Sequence, residues 1–307
     1  MASIESKLFY LFLRLIKKKK FLELQFAFGK FDFYNCKEPP KEINTVCHVE
    51  KRQMHGRNVF VLTPKKAKKS DVEVLYLHGG AYIQNFVKQH WKFLAFLVEH
   101  THCTIIAPDY PLAPKYTYLE AFEMVVPLYK EIIVRSGGNT ILMGDSAGGG
   151  FALALAQKVK YEHLSPPEKI ILLSPWLGIT LSNAEIKKIS PLGPLLGVVG
   201  LRKAGQCYAG NSDPENFMLS PINGPIEGLG IISIFIGSRD IFVADARKLN
   251  VLAREKGVTV NYREYPDMVH VWMLLNFQES KAARQEIVSL ITQRENNFDE
   301  VTAISTT

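Results

Sequence analysis

Four cysteines are spread over 307 residues, at Cys36, Cys47, Cys103 and Cys207, and no two of them form a CxxC pair. The eight histidines include no HExxH and no His/Cys cluster. Zinc ribbons, iron–sulfur motifs and metalloprotease signatures are therefore missing, and no metal or other cofactor is expected. Four cysteines in a chain of this length read as free thiols in a reducing compartment, with a disulfide left open. Long apolar runs are missing too. A spanning helix needs about 20 apolar residues. The best candidate, Leu8 to Ile16, is short and is interrupted by Arg14. A secretory signal carries its positive charge first and a small-residue cleavage site afterwards, whereas here Lys17 to Lys20 follow the apolar stretch. The chain is expected to be cytoplasmic or peripheral to a membrane. No internal repeat is seen.

What is present is ordinary globular composition, 47% hydrophobic and 22% charged. Disorder, collagen and coiled coil are excluded for the bulk of the chain. The net charge of +7 gathers in Lys17–Lys20 and in Lys65, Lys66, Lys68 and Lys69. Such runs read as solvated loops or helix ends, or as contacts with an anionic membrane surface. No recognition motif accompanies them, so nucleic acid is not an expected partner. Leu8, Leu11, Phe12, Leu15 and Ile16 recur at helical spacing. That spacing predicts an amphipathic helix whose apolar face covers the body of the protein or rests on a membrane.

Residues 46–63 predict an antiparallel hairpin turning at His55-Gly56. From residue 71 apolar strands alternate with helical stretches. Strands are expected at Val72–Leu77, Cys103–Ala107, Thr140–Met143, Ile170–Leu173, Ile231–Ile236 and Val258–Tyr262, with helices at Trp91–Glu99, Tyr118–Val134, Phe151–Lys160 and Asp245–Lys256. This alternation predicts an α/β protein with a mostly parallel central sheet and helices on both faces. Residues 176–220 are rich in Gly and Pro and break the rhythm. With residues 1–45 they are expected to cap the carboxyl edge of the sheet. Residues 294–307 are polar and expected to fray.

The strongest chemical signal is Gly144-Asp145-Ser146-Ala147-Gly148 between a strand and a helix. In G-x-S-x-G the serine sits on a sharp strand-to-helix turn, and the flanking glycines remove the Cβ atoms that would collide with neighbouring elements. Upstream, His78-Gly79-Gly80-Ala81-Tyr82 follows a strand directly. A glycine-rich loop there can aim backbone N–H groups at the oxyanion of an acyl-transfer transition state, where one donor is worth roughly 3–4 kcal/mol.

A serine hydroxyl needs a base. In this motif's context the chain order is Ser, then Asp or Glu, then His. After Ser146 only His163 and His270 remain; His163 lies in a polar segment and His270 follows a strand, so His270 is the expected base. The acid should follow the preceding strand. Asp240 fits, with Asp245 and Asp267 as rivals.

At these residues the chain resembles the hormone-sensitive-lipase-like (bacterial family IV) esterases of the α/β-hydrolase superfamily. Four blocks carry the resemblance: His78–Ala81, Asp109-Tyr110-Pro111-Leu112-Ala113-Pro114, Gly144–Gly149, and Leu173-Ser174-Pro175-Trp176-Leu177. It spans roughly residues 46–290. It implies Ser146 as nucleophile, His270 as base, Asp240 as its orienting acid, and the amides of Gly80, Ala81 and Ala147 as oxyanion hole. His78, Gly79, Gly144, Asp145 and Gly148 would be supporting residues. It implies a catalytic domain of 46–175 and 221–293 beneath a cap of 1–45 and 176–220. The sequence departs from the family at Ala81, where the family has Gly, and at Pro111, Lys115, Gly178 and Ile241. The hole survives the Ala81 change unless that position needs a positive φ.

The expected function is hydrolysis of small or medium acyl esters through a Ser-His-Asp triad and an acyl-enzyme. Lipase, deacetylase and thioesterase chemistry share the machinery. A non-catalytic ligand-binding homologue is the reading from another class, and the presence of His270 argues against it. Phe9, Phe12, Phe21, Phe26, Phe28, Phe31 and Phe33 either line an apolar pocket or pack under the cap. The expected partner is a small-molecule ester, and the chain is expected to be a monomer or homodimer.

Overall fold

The computed structural model describes residues 2–293, and the tail expected to fray, 294–307, lies outside them. The hairpin forms as read. β1 (Cys47–Met54) pairs antiparallel with β2 (Arg57–Pro64). His55 and Gly56 both take positive φ, +49° and +70°, the requirement of a two-residue turn whose twist matches the strands. β2 then pairs antiparallel with β4, and all later pairings are parallel.

The parallel strands are β3 (Glu73–Leu77), β4 (Thr104–Pro108), β5 (Thr140–Asp145), β6 (Lys169–Leu173), β7 (Ile231–Gly237) and β8 (Val260–Tyr265). The eight-stranded order is β1-β2-β4-β3-β5-β6-β7-β8. β3 to β6 are buried throughout, as strands covered on both faces must be. Alternate side chains serve two cores. Val74 and Tyr76 face the side of α3 (Lys88–Thr101) and α9 (Gln278–Thr292). Leu75 and Leu77 face the side of α4 (Tyr118–Arg135), α5 (Ala147–Tyr161) and α8 (Val243–Glu255). Each predicted strand and helix is present, with ends shifted by at most four residues. The largest shift is at α5, which begins at Ala147 instead of Phe151.

Two short helices, α1 (Ile4–Leu15) and α2 (Phe21–Phe28), precede the hairpin, and α6 (Ile186–Ile189) and α7 (Val198–Ala209) occupy the 176–220 insertion. α2 packs on α7 so closely that a Cβ on Gly200 would meet Leu22 Cβ at 2.8 Å. The lysine run Lys17–Lys20 turns the chain between α1 and α2, and Lys19 reaches the Ser190 carbonyl.

The expectation that the Leu8/Leu11/Phe12/Leu15/Ile16 face covers the body is overturned, since all five are exposed. The helix is rotated so that Ser6 and Leu13 are buried, with Phe9 and Tyr10 partly so. Specific anchors outside the apolar stripe set that rotation. Ser3 Oγ donates to Glu279 Oε2 (2.9 Å), the Phe9 ring tilts against Phe277 (5.4 Å), and Tyr10 lies under the Arg239 guanidinium (4.2 Å).

Candidate active site

Ser146, Asp240 and His270 all lie just beyond the carboxyl ends of strands: β5, β7 and β8 respectively. Parallel neighbours bring those ends to one edge of the sheet, so residues 124 apart in sequence become adjacent.

Ser146 takes φ +54°, ψ −120°, a strained conformation for a residue with a Cβ. Its amide donates to the Leu173 carbonyl (2.8 Å), and its carbonyl accepts from Trp176 N (2.9 Å) and Gly150 N (3.1 Å). These bonds hold the turn against β6. Gly148 is obligatory because a Cβ there would drive into the Leu77 carbonyl; at Gly144 it would strike the Gly148 carbonyl. The glycine spacing thus follows from close approach of three backbone segments.

His270 stands between the other two side chains. Asp240 Oδ2 lies 2.7 Å from His270 Nδ1, and His270 Nε2 lies 2.9 Å from Ser146 Oγ. A carboxylate only accepts, so Nδ1–H donates and Nε2 is left to accept from the serine hydroxyl. The second Asp240 oxygen accepts from Phe242 N (3.1 Å), and Phe242 meets the imidazole edge-on at 5.3 Å. All three residues are buried.

The rivals of Asp240 have other partners. Asp245 sits in the first turn of α8 and accepts from Asn183 Nδ2 (2.9 Å); burial raises its carboxyl above the ordinary value. Asp267 pairs with Arg239 (2.7 Å), joining the loop of Asp240 to the loop of His270. His163 takes φ +55° just past the carboxyl end of α5, whose other end starts beside Ser146, so the length of the helix, about 22 Å, carries it away from the site.

Gly80 and Ala81 line the same cavity as Ser146 and His270. Ala147 opens α5, so its amide has no intrahelical acceptor. Gly80 has φ +125° and Ala81 φ +54°. Ala81 therefore does occupy a position of positive φ, and the alanine, which keeps its N–H, adopts it within the cavity lining, at a cost of about 1–2 kcal/mol for a residue with a Cβ. The loop is held from below by Asp145. Its Oδ1 accepts from Gly79 N (2.8 Å) and the Tyr76 hydroxyl (2.6 Å), and its Oδ2 lies 3.3 Å from His90 Nε2. Burial alone would raise the Asp145 carboxyl; His90, Tyr76 and the Gly79 amide outweigh it and hold the group below its ordinary value. His78 is stacked on Tyr110 (4.4 Å) and burial pushes its imidazole down to about 3.

His90 and Tyr76 belong to this arrangement and are not singled out by sequence reasoning. A histidine on the apolar face of a helix and a tyrosine in an apolar strand look like core residues. Only the sheet brings them to Asp145.

The cavity measures about 790 Å³, within the usual range for small-molecule sites. Ser146, His270, Gly80 and Ala81 form its floor, and Phe12 and Ile16 of the N-terminal segment stand at its wall. Phe9 and Phe21 also line it, Phe26 and Phe31 pack on each other (5.0 Å), and Phe28 and Phe33 are exposed.

Comparison with known proteins bears on this arrangement. The family described as alpha/beta hydrolase fold matches residues 74–274. An acetyl-hydrolase of Streptomyces hygroscopicus is 28% identical over 242 residues, 78% of this chain and 78% of that protein. An esterase of Acinetobacter venetianus is 28% identical over 233 residues, covering 74% and 77%. A crystal structure of a hormone-sensitive lipase from a metagenome library superposes with a TM-score of 0.80 at 23% identity, covering 95% of this chain and 99% of that one, a likeness of fold. The chain therefore belongs to the α/β-hydrolase family and is an esterase/lipase-type hydrolase.

Proposed function

We propose that the protein hydrolyses carboxylic esters by a Ser-His-Asp mechanism through an acyl-enzyme. The observation that carries this is the unbroken contact from Asp240 through His270 to Ser146, 2.7 and 2.9 Å. Ser146 Oγ attacks the acyl carbon while its proton passes to His270 Nε2. Asp240 holds the imidazole in the receptive tautomer and stabilises its charged form. The amides of Gly80, Ala81 and Ala147 stabilise the oxyanion. The carbon–oxygen bond to the alcohol breaks, and His270 returns the proton to the departing alcohol. Water, deprotonated by His270, then attacks the acyl-serine and releases the carboxylic acid and free Ser146.

Residues 1–45 and 176–220 act as a cap on a catalytic unit of 46–175 and 221–293. The packing of α2 on α7 supports this division, as do the cavity-lining side chains Phe12, Ile16, Leu195 and Leu201 drawn from both pieces. The volume and apolar walls suit small or medium acyl groups.

The test is turnover of p-nitrophenyl esters of graded chain length, with a fluorophosphonate probe as covalent label. Wild type should turn over esters and take the label, and Ser146→Ala should do neither. Equal rates for both proteins would overturn the proposal. Faster cleavage of a matched thioester would move the reading to thioesterase.

A further inference from the structure

The apolar stripe that fails to face the body has a consequence. Ile4, Leu8, Leu11 and Leu15 follow one another at helical spacing on α1, and nothing among the described residues covers them; Ile4 is 76% exposed and Leu15 81%. At 100° per residue these four span about 60° of the helix surface, with Phe12 beside them, while Lys7 and Arg14 border one edge. Further exposed apolar side chains follow the helix at Ile16, Leu24, Phe28, Phe33 and Tyr34. Contiguous exposed apolar side chains rimmed by charge are not a feature of an ordinary soluble surface.

The net charge on this segment is positive. Between residues 4 and 34 seven Lys or Arg stand against three Asp or Glu. The lysine run lies at the end of the stripe; Lys18 lies over the rings of Phe21 (3.6 Å) and Tyr34 (4.6 Å), while Lys17 and Lys20 are exposed. An apolar face flanked by cations matches the interface of an anionic bilayer, where acyl chains take the leucines and headgroup phosphates the lysines. The same segment walls the cavity, since Phe12, Ile16 and Tyr34 are shared between the exposed surface and the cavity lining, and half-buried Lys18 joins that lining. Among the described residues no helix is long and apolar enough to cross a membrane, so attachment of this kind lies on the surface.

We infer that α1, with the Lys17–Lys20 turn, is a docking surface for an anionic phospholipid bilayer and sets the mouth of the cavity against the lipid. Docking is independent of the chemistry. The further step, that the ester hydrolysed is drawn from that bilayer, rests on the hydrolase reading.

The test is flotation of the full-length protein with vesicles of phosphatidylcholine alone or mixed with phosphatidylglycerol. Wild type should float with the phosphatidylglycerol vesicles, less so as salt is raised. Leu8→Glu/Leu11→Glu/Leu15→Glu should lower that binding by more than about tenfold. Lys17→Glu/Lys20→Glu, which leaves the apolar stripe intact, should lower it by at least about threefold. Both variants should keep the wild-type rate on a soluble short-chain ester, and Ser146→Ala should bind vesicles like wild type. Wild type that stays unbound, or a triple variant that binds equally, overturns the inference. So does a dimer in light scattering that the triple variant dissociates while vesicles go unbound, which makes the face a contact between copies. Vesicle binding without ester turnover would instead overturn the hydrolase reading and leave docking intact.

Discussion

The carboxylate of Asp145, the residue before the elbow serine, accepts the amide of Gly79 on the neighbouring loop at 2.8 Å. The turn that presents Ser146 and the loop that carries Gly80 and Ala81 are thereby fastened to each other beneath the cavity floor. Asp145→Ala would leave the Gly79 amide, the Tyr76 hydroxyl and His90 buried without this partner. The expected loss of stability is about 3–5 kcal/mol, read from the denaturant midpoint. Activity should fall more in Asp145→Ala than in Asp145→Asn, which keeps an acceptor for the amide. Unchanged stability in both variants would show that the fastening is idle.

Asp240→Asn tests the orienting carboxylate. An asparagine that presents its NH₂ to Nδ1 would drive the proton to Nε2 and leave the serine hydroxyl without an acceptor. The fall in kcat should approach about 10⁴-fold, with a smaller change in KM. The parallel substitutions Asp245→Asn and Asp267→Asn should cost less than about tenfold, and a larger cost at Asp245 than at Asp240 would refute the assignment.

Ala81 carries its methyl group at φ +54°. Glycine would release that strain and lose some ground through the greater freedom of the unfolded chain. Ala81→Gly should therefore raise stability by about 0.5–1 kcal/mol, seen as a small rise in Tm, and retain activity. Ala81→Val should lose both.

His78 makes stability depend on pH. Burial holds its folded pKa at about 3, below the roughly 6.5 of an unfolded histidine. The unfolded chain therefore binds the proton first. The contribution is fully present above about pH 6.5 and is lost as pH falls toward 3, by about 1.4 kcal/mol per unit. Urea midpoints measured at pH 7, 6 and 5 should fall more gently in His78→Asn than in wild type, although the variant starts lower at pH 7. Parallel lines would remove His78 as the cause.

Much of the fold and the elbow was legible in the sequence because both rest on local pattern. The apolar runs of β3 to β6 and the helical stretches between them are written residue by residue, and so is Gly144–Gly148. That Asp240 and His270 meet Ser146 was legible through chain order after strands. Three features were not. The rotation of α1 is decided by Ser3, Phe9 and Tyr10 meeting partners more than two hundred residues away, so its apolar spacing pointed to the wrong face. The start of α5 at Ala147 was hidden because Ala147 to Gly150 are poor apolar markers, and three of them are glycines of low helix propensity. His90 and Tyr76 acquire their role only through the sheet.

Tyr10 lies under Arg239, and Arg239 pairs with Asp267. One aromatic ring near the start of the chain thus braces the two loops that hold Asp240 and His270. Whatever pulls on α1, whether a surface, a truncation or a fusion partner, is transmitted to the spacing of those loops. The N-terminal helix is in this sense a brace as well as a wall, and shortening the chain there removes one side of the seat that holds Arg239 between those loops.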